Sequence, residues 1–161
     1  MEDMSSSIPD KNFEGGEEIT ARHQVVLDGD LSKERLLSLI RLGREEEALD
    51  YKRSYDLTGT ITKDKVEMAR DVVAMANTSG GYVLLGVDEN RLGTTISYNP
   101  VGIPEGHLSA LDIDKLKPQI ERYLSAAVPI KLQIHRLDEH EALPRPLALS
   151  PGGVLCAQLF S

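Results

Sequence analysis

The sequence predicts a mixed α/β fold in which helices pack against a sheet. Residues 63–77 show helical periodicity, with apolar side chains recurring every three or four positions. Residues 82–87 form a continuous apolar run, which is too short for a helix and typical of a central strand. Apolar and polar residues alternate at 49–55 and 130–134, which indicates strands with one buried face. Together these patterns favour a single α/β domain.

Length and charge predict the domain organisation. The chain has 161 residues, enough to bury a hydrophobic core without disulfides or metals. Its net charge is −8, and residues 1–50 carry most of it, with 13 acidic and 6 basic residues. We therefore expect a flexible acidic leader over residues 1–30 and the folded domain over residues 31–161.

The first predicted elements precede the central strand. Ser32 suits the N-cap of a helix, and Gly43 suits the position just after its C-terminus. A short strand is expected within the leader at residues 24–27. In the strand at residues 49–55, the apolar side chains are expected to share one face: Leu49, Tyr51 and Tyr55.

The second predicted helix spans residues 63–77 and has Thr62 as its N-cap. We expect it to end at Asn77, because a turn rich in small residues follows. In that turn, Gly80 and Gly81 are both expected to supply a positive φ. The turn then leads directly into the central strand.

The segment after the central strand is predicted as a turn and a loop. Asp88 lies at the exit of the strand, and residues 89–93 are expected to form a turn. A short returning strand is expected near residues 94–97, followed by a loop over residues 98–111.

The last predicted elements are a helix and two strands. The helix begins at Asp112 or Asp114, so that Pro118 lies near its first turn, where proline is tolerated. The strand at residues 130–134 follows, and residues 154–160 are expected to form an edge strand.

Composition excludes several kinds of site. The single cysteine, Cys156, permits neither an intrachain disulfide nor a cysteine-based zinc site, and we expect it to be a buried core thiol. There is no Walker or GxGxxG motif to indicate nucleotide binding. No apolar stretch approaches the roughly 18 residues of a membrane span, and the start lacks a secretory signal pattern, so we expect a cytoplasmic protein without membrane contact.

Three carboxylates are candidates for a metal site. Asp50 projects from the first strand, Asp88 follows the central strand, and Glu45 lies in the connector that leads into the first strand. If the three converge, their oxygens suit Mg²⁺ or Mn²⁺, which can polarise a phosphodiester. In the alternative, Asp50 pairs with Lys52 or Arg53, and Asp88 only opens a turn.

A group of basic residues is the candidate phosphate-binding surface. Lysines at the start of a helix can hold a phosphate beside free backbone N–H groups. In the alternative, these residues form a solvated helix face with Lys–Glu pairs. The group consists of Lys52, Arg53, Lys63, Lys65 and Arg70.

Two segments resemble the Schlafen-type AlbA domain family. They are EEEALDYKRS at residues 45–54 and VAMANTSGGYVLLGVD at residues 73–88. The resemblance implies an α/β fold associated with nucleic-acid binding. In the Schlafen branch it implies a metal-dependent endoribonuclease that cuts structured RNA such as tRNA. The three metal-binding acids of that branch fall on Glu45, Asp50 and Asp88, although Asp50 stands where the family usually has Glu.

The leading hypothesis is a nucleic-acid-binding domain, with RNA preferred over DNA and metal-dependent phosphodiester cleavage at the three acids. Gly80 and Gly81 are expected to shape the turn that presents Asp88, and a homodimer or larger partner would complete a clamp around RNA. The alternative is a non-catalytic protein, either a DNA-binding transcriptional regulator or a protein-interaction domain. In the leading hypothesis the phosphate backbone is positioned by Lys52, Arg53, Lys63 and Lys65.

Overall fold

The computed structural model describes residues 25–60, 63–137 and 154–159, the last of these as a strand backbone. None of the helices in these ranges is both long and apolar enough to cross a membrane. The elements in chain order are α1 (Lys33–Leu42), β1 (Leu49–Lys52), α2 (Lys63–Ala76), β2 (Gly81–Leu85), β3 (Val87–Leu92), β4 (Thr95–Pro100), α3 (Glu105–Leu108), α4 (Ile113–Glu121), β5 (Ile130–His135) and β6 (Val154–Leu159).

A four-stranded mixed sheet with the order β1-β2-β6-β5 forms the centre of the domain. β1 and β2 are parallel and are connected through α2, whereas β6 runs antiparallel to both of its neighbours. The prediction of a mixed α/β domain is confirmed. The prediction that residues 154–160 form an edge strand is wrong, because β6 lies between β2 and β5. Periodicity identifies a strand but not its neighbours.

Helices cover both faces of β2, so every residue of this strand is buried. Tyr82 and Leu84 point to one face and pack in a cluster with the apolar side of α1. Val83 and Leu85 point to the other face and pack with α2 and α4. A strand that is buried on both faces has a continuous run of apolar residues, so β2 could be predicted from the sequence.

The helix ends largely follow the predicted capping residues. Ser32 Oγ accepts the Arg35 N–H at 3.2 Å, and Gly43 ends α1 at a φ of 63°. Asp112 is the N-cap of α4 and accepts the N–H of Asp114 at 3.0 Å. Pro118 therefore lies in the second turn of α4, one turn later than predicted. The predicted cap Thr62 is outside the described residues.

β1 is shorter than predicted and ends at Lys52. Tyr51 is buried with α1, where its O–H donates to the carbonyl of Leu39 at 2.5 Å. Tyr55 is buried in the cluster on the opposite face of the sheet, so it does not share a face with Tyr51. The strand alternation fails here because the chain has already left β1 for the loop before α2.

A second sheet, the hairpin β3–β4, follows β2. The predicted central strand is interrupted at Gly86, which has a φ of 90°, and a new strand begins at Val87. The predicted turn at residues 89–93 is wrong, since the turn of the hairpin lies at Gly93. The returning strand is longer than predicted, and the loop after it contains the short helix α3.

The described end of the predicted leader contacts the domain. Val25 is buried, and residues 25–27 have no regular secondary structure, so the predicted strand at 24–27 is absent from the described residues. The Tyr82 O–H donates to Asp28 Oδ1 at 3.0 Å, and the Arg35 guanidinium lies 5.5 Å from the centre of the Tyr82 ring. Burial raises the pKa of Tyr82 to about 12.

The turn between α2 and β2 uses its two glycines differently. Gly80 has a φ of 85°, and its N–H donates to the carbonyl of Met75 at 3.0 Å, which ends the helix. Gly81 has no positive φ, contrary to prediction. It is required because a Cβ there would lie 2.7 Å from Met75 Sδ and 3.0 Å from the carbonyl oxygen of Ala48.

Gly81→Ala is expected to lower the free energy of unfolding by about 1–3 kcal/mol, the usual effect of overpacking. The measurement is urea denaturation of the full chain. Gly106→Ala is the control, because a Cβ at Gly106 meets nothing within 4 Å. Equal urea midpoints for the two variants would show that the close approach of α2 and Ala48 to Gly81 is not a constraint.

Candidate functional site

The first two predicted acids, Glu45 and Asp50, lie together at the edge of the sheet. Backbone hydrogen bonds in both directions between Glu46 and Leu49, each 3.0 Å, fold the connector back onto the start of β1. Burial raises the pKa of Glu45 above its usual value, and the neighbouring Asp50 carboxylate raises it further. The two carboxylates therefore form a like-charged pair.

Lys52 and Asp71 extend this acidic pair toward α2. Lys52 Nζ lies 3.0 Å from Asp50 Oδ2 and 3.8 Å from Asp71 Oδ2. Burial alone lowers the pKa of Lys52, but the bond to Asp50 and the Asp71 charge outweigh it, so this pKa is raised. The Tyr55 O–H donates to Asp71, which fixes the position of that carboxylate.

Glu45, Asp50 and Asp71 line an open cleft of about 280 Å³ between β1 and the C-terminal half of α2. Glu46 also lines the cleft, but its carboxylate accepts the Val25 N–H at 3.2 Å and pairs with Arg44 at 2.9 Å. The acidic groups of the cleft are Glu45, Glu46, Glu47, Asp50 and Asp71.

The third predicted acid, Asp88, has a different partner. Its Oδ2 lies 3.5 Å from Nη1 of Arg53, and both side chains are well exposed. Within residues 25–60 and 63–137, no three His, Cys, Asp or Glu side chains are grouped so that they could hold a metal ion. The predicted convergence of three carboxylates is thus absent from the described residues, and Asp88 pairs with Arg53 instead.

The glycine turn does not present Asp88 either. Gly80 and Gly81 lie at the start of β2, whereas Asp88 follows its other end. Asn77 belongs to the same turn and is exposed. The residue that controls the approach to Asp88 is Gly86, which the sequence analysis treated as an interior strand position.

The predicted basic residues do not form one surface. Lys52 pairs with Asp50, which lines the cleft, and Arg53 pairs with Asp88. Lys63 lies at the start of α2, 3.4 Å from Glu67, as the alternative of a solvated helix face predicts. Lys65 donates to the carbonyls of the preceding loop. Lys63 and Lys65 are therefore at the opposite end of α2 from the cleft.

Asp71 and Tyr98 lie beside the acidic pair but are not among the residues predicted from the sequence. A signal for Asp71 exists in the sequence, since it lies on the helix between the two motif segments. Tyr98 stacks on Tyr51 with ring centres 4.5 Å apart. Burial and the Glu45 carboxylate raise the pKa of Tyr98, so this ring borders the acidic pair.

The structure also pairs His107 with Ser54. Nδ1 of His107 lies 2.7 Å from Ser54 Oγ, and this bond joins α3 to the loop after β1. The two residues are 53 positions apart in the chain, so spacing could not reveal the contact.

Glu45→Gln is expected to stabilise the protein at pH 7. The folded state raises the pKa of Glu45, so ionising this carboxyl disfavours folding once the pH rises through that pKa. The amide of Gln has no charge and can donate to Asp50. The gain should disappear below about pH 4.5, the ordinary pKa of the group, where Glu45 is protonated whether folded or not.

The measurement is the urea midpoint of both proteins at pH 7 and pH 4, with Glu47→Gln as a control from the same cleft. A Glu45→Gln protein that is less stable than the wild type at pH 7 would contradict the like-charged pair.

Comparison with known proteins places the fold in a family. The N-terminal domain of a protein described as ATP-dependent DNA helicase RecG-related, from Nitrosomonas europaea, has 25% sequence identity and a TM-score of 0.44; the match covers 75% of this chain and 67% of that domain. No curated protein matches the chain. Residues 45–155 match the family described as Schlafen, AlbA_2. The matched range is more than half of the sequence and includes Glu45, Asp50 and Asp88. The resemblance found in the two motif segments is confirmed, and the chain belongs to the Schlafen AlbA_2 family.

Proposed function

We propose that the chain binds nucleic acid, with RNA preferred over DNA, and that its acidic cleft holds Mg²⁺ or Mn²⁺ for phosphodiester cleavage. Membership of the Schlafen AlbA_2 family suggests nucleic-acid binding. The proposed metal site and cleavage rest on the contact between the carboxyl groups of Glu45 and Asp50.

The donor set of the cleft fits a hard divalent cation. Two adjacent carboxylates repel each other, and a bound cation reverses that energy. Mg²⁺ is commonly held by one or two protein carboxylates together with waters and substrate phosphates. Glu45 and Asp50 are therefore enough protein ligands for such an ion. When bound, such an ion would supply Lewis-acid chemistry, by which a phosphoryl oxygen would be polarised and a water activated.

Lys52 and Tyr55 position the carboxylates of the cleft. Lys52 lies between Asp50 and Asp71 and holds the Asp50 carboxylate at the edge of β1. Tyr55 anchors Asp71 from below through its hydroxyl.

Arg53 and Asp88 connect the cleft to the substrate in this proposal. The Arg53 side chain is 71% exposed, so a phosphate can reach it. A phosphate bound to Arg53 competes for the guanidinium and releases the Asp88 carboxylate. Asp88 is then free to act as the third acid that the family motif places at this position.

The ion pairs themselves favour a second candidate, a non-catalytic regulator or protein-interaction domain. Lys52, Arg53 and Lys63 each have an acidic partner within 3.5 Å, which reduces their availability to a phosphate backbone. The net charge of −8 also opposes non-specific binding to nucleic acid.

Metal binding is tested by thermal unfolding with and without Mn²⁺. Free Mn²⁺ at 100 times its dissociation constant should stabilise the wild type by about 2.7 kcal/mol. Glu45→Gln and Asp50→Asn should lose most of this increment. Glu67→Gln is the control, since Glu67 pairs with Lys63 away from the cleft. An equal Mn²⁺ increment in all four proteins would remove the cleft as the metal site.

Substrate and activity are tested on tRNA and on duplex DNA at matched salt. We expect tighter binding to tRNA, Mn²⁺-dependent cleavage, and loss of cleavage in Glu45→Gln and Asp88→Asn. Arg53→Gln should reduce the slope of log K against log salt by about one, because one phosphate contact is lost. Intact tRNA with normal binding would leave the regulator, and no binding to either nucleic acid at low salt would favour the protein-interaction role.

A further inference from the structure

A second groove lies outside the acidic cleft, and the proposed cleavage site does not use it. It has a volume of about 440 Å³ and lies between the end of α2 and residues 123–129, the segment that joins α4 to β5. Ligand sites typically measure about 300–1,000 Å³. Small apolar side chains line most of it, among them Val73, Ala76 and Val128.

Two polar side chains at the groove have features of a base-recognition site. Tyr123 lines the groove and is 48% exposed, so part of this residue is accessible to a ligand. Asn77 also lines the groove, and its side-chain amide makes no hydrogen bond with any side chain or backbone group in the described ranges. An exposed aromatic ring stacks on unpaired bases, and an asparagine amide can pair with the N6 and N7 edge of adenine.

The charges beside the groove point to the same class of ligand. Arg122 directly precedes Tyr123, and Arg70 lies on the helical stripe of Val73 and Asn77. Both arginines are exposed, and neither has an acidic partner among the described residues, unlike most basic residues in the same ranges. Unneutralised guanidinium groups next to an apolar slot complement the phosphates on either side of a base.

We propose that this groove binds an unpaired adenine base of a single-stranded segment. Tyr123 stacks on the base, Asn77 pairs with its edge, and Arg122 and Arg70 contact the flanking phosphates. The inference rests on the proposed nucleic-acid binding and specifies its substrate as unpaired nucleotides next to the cleavage site.

The position of the groove relative to the cleft supports this assignment. Ala74, Met75 and Thr78 line the acidic cleft, while Val73, Ala76 and Asn77 line the groove. The two sites therefore occupy opposite sides of the same helix end, separated by roughly the 10–12 Å width of a helix. A strand that crosses the end of α2 places a base in the groove and its backbone at the carboxylates.

The test measures binding of the full chain to an unstructured adenine-rich RNA and to an RNA duplex in EDTA, so that cleavage is suppressed. We expect the single strand to bind more tightly.

Tyr123→Ala should weaken this binding about tenfold, and Tyr123→Phe should retain it because the ring remains. Asn77→Ala should reduce the preference for adenine over uracil. Arg122→Gln should lower the salt slope by about one, whereas Arg41→Gln, which removes another unpaired and exposed arginine, should not weaken the preference for the single strand.

The outcomes separate this inference from the proposed function. Normal RNA binding by Tyr123→Ala, with its urea midpoint unchanged, overturns the groove and leaves the proposed function standing. If the wild type binds no nucleic acid at low salt, the proposed function fails, and an NMR titration with AMP tests the groove by itself. AMP-dependent shifts at residues 73–77 and 123–128 would support the groove, and their absence would overturn it.

Discussion

The backbone of Gly86 is the constraint on which the arrangement of the domain depends. Its N–H donates to the carbonyls of Lys52 at 2.9 Å and Arg53 at 3.0 Å, while its own carbonyl accepts from Val101 at 2.7 Å and Gly102 at 2.9 Å. At a φ of 90°, this residue ends the buried strand and redirects the chain into the hairpin. A side chain here would be strained, and without the bend β3 would continue the central sheet instead of placing Asp88 near Arg53.

Electrostatics divides the surface near β1 into two parts of different character. In the cleft, carboxylates outnumber cations, and burial together with the Asp50 carboxylate raises the pKa of Glu45. At the groove, the polar groups are neutral or positively charged and lack partners in the described ranges. The last turns of α2 form the wall between them, so the sequence of one helix end determines both surfaces. Residues one position apart on this helix therefore line different surfaces.

The sequence predicted the features that local patterns determine. Ser32 and Gly43 follow capping rules, and two of the three acids predicted to converge, Glu45 and Asp50, lie together. The failures have a common cause in long-range packing. Tyr55 packs on the face of the sheet opposite to the predicted one because β1 ends at Lys52. Position 81 requires glycine because the fold brings the Met75 sulfur too close for a Cβ. The pairing of Ser54 with His107 likewise depends on contacts between distant segments.

The central position of β6 has a consequence for the order in which the chain can fold. Among the strands that the structure describes, β5 pairs only with β6, and β6 joins it to β2. During translation the parallel pair β1–β2 and its helix leave the ribosome well before residues 154–159 are made, so β5 has no partner strand in the nascent chain until then. One edge of β2 stays open to other chains during that interval. The newly synthesised protein should be most prone to aggregation just before its sheet closes.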